Sequence, residues 1–300
     1  MKASACGKAI LFGEHAVVHG RPAIAVPVSG LRVYAEISDG KGIIYNHPID
    51  KVMTLGQREE PLVKAAWMAL DRMGTEDTSF DIHLSGDIPI SSGLGSGPAV
   101  VVAIIRAIGM RFHHDFGASE LAVMSFETEK IFHGNPSGID NTVVSYEQPV
   151  YFIKGKPITL LQVGKPFTIV IGDTGVPKAS TKELVEGVAA RMRKEPVKYN
   201  ALMDEMAEIA NKAKRIIESG DPSELGVLMD RNHALLRELG VSHPMLEKLV
   251  KAAKDGGALG AKLVGAGGGG NMIALAEHPE KVRKALLKAG AKQAFVTVVE

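Results

Sequence analysis

The sequence predicts an α+β chain in two domains. Strand-type alternation and helical periodicity interleave over the first half, whereas Thr181 to Asp255 reads as nearly continuous helix and the end returns to strand, glycine turn, strand, helix and strand. Length points the same way, since 300 residues exceed what one small core organises. The composition changes near Pro177, so the boundary is expected within 165–180, and the domains are taken as 1–170 and 171–300.

In order, "AILF" (9–12), "AIAVPV" (23–28) and "LRVYAEIS" (31–38) read as strands, and "DGKGIIYNHPIDK" breaks into turns and short extended pieces. "PLVKAAWMALDRM" (61–73) has helical spacing, with Pro61 suited to a first turn. "FDIHLSG" (80–86) alternates as a strand. A helix is expected from near Pro98 to Met110, and another over "ASELAVMSFETEKIF" (118–132) with Ser119 as its N-cap. "NTVVSY", "PVYFI", "ITLLQV" and "FTIVIGD" read as extended. After the helical run, "AKLVG" and "NMIALA" are strands around "AGGGG", followed by the helix "PEKVRKALLKAG" and the strand "QAFVTVVE".

The 35 basic and 34 acidic residues leave a formal net charge of +1, which argues against a partner bound through bulk charge, such as nucleic acid or an anionic membrane. Cys6 is the single cysteine, so an internal disulfide framework and a multi-cysteine zinc site are excluded. No apolar run has the length of a membrane span, and Lys8, Glu14 and His15 interrupt the first twenty residues as a signal peptide. A cytoplasmic protein is expected.

Four stretches carry chemistry. "PISSGLGSGPA" (89–99) sets Gly93, Gly95 and Gly97 directly before an apolar helix. Glycines let the backbone approach a ligand, and the free N–H groups at a helix start suit an anion. The loop is a phosphate cradle or a capped connection; it matches neither the P-loop nor the dinucleotide fingerprint. "GKAILFGEH" (7–15) places Lys8 before a strand, with Glu14 and His15 after it. In "ETEKIFHGNPSGIDN" (127–141), Glu129 lies on a helix and Asp140 follows a Gly/Pro turn, a setting for a positioned base or metal ligand, or for an Asx turn. "GAKLVGAGGGGN" (260–271) has more glycine than a tight hairpin needs, so it contacts phosphate or packs against another loop. Together these suggest phosphoryl transfer, which needs backbone donors, a divalent cation and a group that takes the hydroxyl proton.

With "GKAILFGEHAVVHG", "PISSGLGSGPA" and "KLVGAGGGG" in that order, the chain resembles the GHMP kinases, the family of galactokinase, homoserine kinase, mevalonate kinase and phosphomevalonate kinase. "GEHAVVHGRPAIA", "HGNPSGIDN" and "GDTGVPKASTKELV" resemble its mevalonate branch most closely. The resemblance implies a left-handed β-α-β unit in the N-terminal domain and a ferredoxin-like α+β domain after it. It also implies transfer of phosphate from ATP to the 5-hydroxyl of mevalonate, an early step in isoprenoid synthesis. Asp140 then matches the base and Lys8 its cationic partner, while Glu129 matches the Mg²⁺ ligand. Glu14, His15, Ser180 and Thr181 match substrate-pocket residues. Ser92, Gly93, Leu94, Gly95, Ser96, Gly97, Pro98 and Ala99 match the ATP-phosphate loop, backed by Gly267, Gly268 and Gly269. A homodimer is common among such relatives.

One departure concerns the metal. The family usually has serine where this chain has Gly97, and that serine is the usual hydroxyl ligand of Mg²⁺; Ser96 or water is expected to take its place. The rivals are another kinase of the family, acting on phosphomevalonate or a sugar, a dinucleotide-dependent oxidoreductase, and a scaffold without activity.

Overall fold

A computed structural model describes residues 1–89, 93–133, 136–177 and 180–300. Strand β1 (Lys2–Phe12) starts at Lys2 rather than Ala9, and it is buried continuously from Ala5 onward. Burial on both faces removes the in–out alternation that marks a half-exposed strand. The two strands read at 23–28 and 31–38 are one, β2 (Ala23–Asp39), with Ser29 and Gly30 exposed where the sequence pattern breaks. The stretch read as turns contains a hairpin, β3 (Ile43–Asn46) with β4 (Lys51–Thr54). Next come α1 (Pro61–Met73), β5 (Phe80–Gly86), α2 (Ser96–Arg111) and α3 (Ala118–His133), close to their expected bounds.

"NTVVSY" corrects the reading. It belongs to helix α4 (Ile139–Tyr146), entered through Gly138 at φ 89°. Its β-branched run suggests a strand, but Ile139, Val143 and Val144 are buried as the helix packs on α2 and α3. Tertiary burial overrides a modest difference in local propensity.

Contacts divide the chain into two compact units. The first comprises Met1–Lys8, Leu31–Ile90 and Leu94–Glu147. There β5 lies between β3 and the second half of β2, parallel to β3 and antiparallel to β2, with β4 outside β3. The helix α1 falls in the connection between β3 and β5. Helix α2 is the centre of this unit: Val101, Val102, Ile104, Ile105 and Ile108 are all buried, as expected of a helix apolar all round. Each such side chain contributes about 1.5–3 kcal/mol on burial.

The second unit is formed chiefly by Ala9–Gly30 and Gln148–Glu300. Here β6 (Val150–Phe152) pairs with the first half of β2, and β7 (Thr159–Leu160), all that is strand in "ITLLQV", pairs with β6. A second sheet contains β8 (Phe167–Asp173), β9 (Gly260–Leu263), β10 (Asn271–Leu275) and β11 (Gln293–Val299). Its order is β11-β8-β10-β9, antiparallel throughout. Counted within the sheet this is fourth-first-third-second, the ferredoxin-like arrangement.

Helices α5 (Thr181–Lys194), α6 (Pro196–Ser219), α7 (Leu225–Glu238) and α8 (Pro244–Asp255) separate β8 from β9, and α9 (Pro279–Lys288) separates β10 from β11. Of these, α7, α8 and α9 contact the sheet. The sequence boundary near 170 follows composition and falls within β8, whereas the contact boundary falls at Glu147–Gln148 and returns residues 9–30 to the second unit. Among the described residues, no helix is long and apolar enough to cross a membrane.

Candidate active site

Within the first unit, β1 delivers Lys8 and the first turn of α4 delivers Asp140. Lys8 Nζ lies 2.8 Å from Asp140 Oδ1; the lysine side chain is nearly buried at 4% exposure, while Asp140 keeps 29%. The pair therefore has one end toward solvent, from which an acceptor can reach the carboxylate.

The glycine loop is built around this lysine. Lys8 N–H donates to Leu94 O at 2.9 Å, and a Cβ on Gly95 would lie 2.8 Å from Lys8 Cγ. Gly95 also sits at φ 77°, in the left-handed region, so glycine is required twice over. Helix α2 then starts at Ser96, with Gly97 and Pro98 in its first turn, and Ala99 N–H closes back on Gly95 O at 3.1 Å. Pro98 has no N–H, and Gly95 has no side chain to cap the helix. The amides of Ser96 and Gly97 thus have no acceptor within the helix, a backbone arrangement suited to a phosphate oxygen. Ser92 lies outside the described residues.

Glu129, on α3, is the third member of the group. Its Oε2 is buried without a hydrogen-bond partner, and burial followed by the negative charge of Asp140 raises its pKa to about 8, against a smaller opposing effect from Lys8. A buried carboxylate that keeps its proton for want of positive charge is suited to a cation. Because its folded pKa exceeds the ordinary 4.5, the stabilising contribution is present below that value and lost as pH rises toward 8. Metal-free protein should therefore lose thermal stability between those pH values, and Glu129→Gln should flatten this loss. Parallel melting curves of both proteins would refute the assignment.

Within the second unit, Glu14 and His15 form the turn after β1. Glu14 is wholly buried: Lys262 Nζ donates to its Oε1, and Asn232 Nδ2 donates to its Oε2 at 3.1 Å. Burial pulls the Lys262 pKa down while Glu14 pulls it up. Both oxygens of Glu14, expected to touch substrate, are engaged by protein. His15 adopts φ 59°, uncommon outside glycine, and its Nε2–H donates to Ala266 O at 2.9 Å. Neither Lys262 nor Asn232 stands out in the sequence. The available signal is a lysine inside the apolar strand "GAKLVG", which needs an acid if buried.

The "AGGGG" loop joins β9 to β10 and packs against two other backbones. Gly268 N–H donates to Val241 O at 2.8 Å, and Gly270 N–H to Val176 O at 3.3 Å. A Cβ on Gly267 would lie 2.0 Å from Val241 O, so that position excludes any side chain. Gly269, at φ 129°, lies against Val176 and Pro177. Ser180 precedes α5 and Thr181 opens it; both are exposed, and Ser180 makes no side-chain cap.

Two family models match in chain order: the GHMP kinase N-terminal domain over residues 61–148 and the GHMP kinase C-terminal domain over residues 202–294. The chain is 37% identical to the mevalonate kinase of Pyrococcus abyssi, over 98% of this chain and 94% of that one. The crystal structure of L. major mevalonate kinase in complex with R-mevalonate superposes with a TM-score of 0.85 at 30% identity, covering 100% of this chain and 96% of that one. Methanococcus jannaschii mevalonate kinase gives 0.86 at 28% identity, covering 99% and 97%. With a glycine loop built on Lys8, an acid beside that lysine and likeness along nearly the whole chain, this protein belongs to the GHMP kinase family, in its mevalonate kinase branch.

Proposed function

We propose that the chain transfers the γ-phosphoryl group of ATP to the 5-hydroxyl of mevalonate, giving 5-phosphomevalonate and ADP. The observation that carries this reading is the 2.8 Å Lys8–Asp140 pair beside the glycine loop. Asp140 orients the alcohol and accepts its proton. The Lys8 ammonium lies where the alcohol oxygen gains negative charge, and the amides of Ser96 and Gly97 receive phosphate oxygens. Such chemistry depends mainly on positioning and electrostatic stabilisation. His15 and the α5 start with Ser180 and Thr181 are read as substrate-facing, and Glu14 as the group that holds His15's turn.

Mg²⁺ fits Glu129, whose buried oxygen has no partner, and Ser96 is the hydroxyl of the proposed set. No group of three or more His, Cys, Asp and Glu side chains converges among the described residues, and Mg²⁺ commonly takes only one or two protein ligands alongside phosphate and water. When bound, the ion neutralises charge on the phosphates. A Cβ on Gly97 would meet nothing within 4 Å, so Gly97→Ser should fold normally. It should also lower the Mg²⁺ concentration for half-maximal activity, measured by titration at saturating ATP; an unchanged or higher requirement would remove position 97 from the metal's surroundings.

The product identifies the reaction. The ³¹P spectrum of a turnover mixture should show ADP with a phosphomonoester on the mevalonate 5-carbon. A phosphoanhydride product formed from phosphomevalonate, with no reaction on mevalonate, would favour the rival kinase.

A further inference from the structure

A cavity of about 650 Å³ lies in the first unit near the far end of α2 from the glycine loop. That is the size of a small-molecule site. The helix separates Ser96 from Arg106 and Met110, and at about 1.5 Å per residue this is roughly 15–20 Å. None of Lys8, Glu129 or Asp140 lines the cavity.

Its polar wall is incompletely paired. Arg106 Nη1 donates to Ser4 O at 2.8 Å and to Glu147, and Nη2 donates to Ser145 O at 3.1 Å. Among the described residues, its Nε–H and second Nη2–H have no acceptor. Arg32 Nη2 also approaches both Glu147 oxygens, at 2.9 and 3.0 Å. Two guanidiniums therefore share one carboxylate, Glu147. Ser145, in the same wall, has a buried hydroxyl without a partner.

The remaining wall is apolar and held in shape. Met110, Phe116 and Leu121 supply hydrocarbon surface, and Met110 is 47% exposed. His113 adopts φ 55° in the loop beyond α2, and a Cβ on Gly109 would lie 2.5 Å from His114 O. A backbone fixed in an uncommon conformation argues for a preformed rim. Asp115 at that rim opposes a doubly charged head.

We propose that this cavity binds a small organic carboxylate, its head on the unpaired Arg106 edge and its short apolar body against Met110, Phe116 and Leu121. A planar monoanion matches the guanidinium fork, and the hydrocarbon walls require more than an inorganic ion. The site is separate from phosphoryl transfer and stands whichever acceptor the kinase uses.

Titration of protein labelled with ¹³C at methionine methyls tests it, using hexanoate as the probe and Met110→Leu to assign the signal. Hexanoate should shift the Met110 methyl saturably at millimolar concentration, also with ATP present, while hexanol and hexyl phosphate bind more weakly. Arg106→Gln should weaken hexanoate binding about tenfold or more, from loss of a charge-assisted pair. Since that change could disturb folding, Ala118→Trp provides a second arm: it narrows the cavity from the first residue of α3 and leaves the Arg106 contacts intact, and it should also abolish the shift. No saturable shift up to about 10 mM overturns the proposal, a Kd of that size being below 3 kcal/mol of binding. So does an unchanged titration in Ala118→Trp, equal binding of hexanol, or displacement by ATP.

Discussion

Asp140→Asn is expected to lower kcat about a thousandfold while ATP still binds, the range in which a positioned proton acceptor contributes. The amide keeps the shape of the carboxylate but cannot take the alcohol's proton, and it loses the 2.8 Å charge pair with Lys8. Lys8→Met should produce a loss of similar order, because it removes positive charge from the same oxygen. The two act as a unit, so the double variant should be little worse than either single one. Steady-state turnover gives the first quantity, and calorimetric titration with ATP gives the second. Full activity in Asp140→Asn would remove Asp140 as the base.

Lys262→Met should have the largest effect on stability. Lys262 and Glu14 are both fully buried, so deleting the ammonium leaves a carboxylate without its counter-ion in the interior. Breaking such a pair from one side costs about 3–5 kcal/mol. Replacing both partners, as in Glu14→Leu with Lys262→Met, should recover much of the loss, since hydrophobic replacement of a buried pair is often neutral. Urea unfolding of the parent, Lys262→Met, Glu14→Leu and the double variant measures this coupling. A Lys262→Met variant within about 1 kcal/mol of the parent would mean that water or another group already compensates Glu14.

Much of the framework was legible because local pattern and tertiary environment agreed. Strand β5 alternates because one face is half-buried, and α1 carries apolar residues at helical spacing behind Pro61. The failures have a common physical origin in burial on every side. Strand β1 and helix α4 are packed from all directions, so neither displays the amphipathic period of its own structure, and "NTVVSY" reads as strand for its branched residues.

The site divides in the same way. Lys8, Glu129 and Asp140 could be named from motif spacing, but the 2.8 Å Lys8–Asp140 contact and the unpaired Glu129 oxygen depend on how β1, α3 and α4 meet. Glu14 was nameable, its partner was not: residues 14 and 262 lie far apart in sequence, and only the fold brings that acid to Lys262.

The identity of the phosphoryl acceptor is the most direct test of mevalonate kinase activity. ADP release by the unmodified protein should be followed with Mg²⁺ and ATP against mevalonate, phosphomevalonate, homoserine and galactose in turn. Rapid release only with mevalonate is the predicted result. Release with another of these acceptors while mevalonate is inert would contradict it, as would no release above the ATP-alone background with any of them.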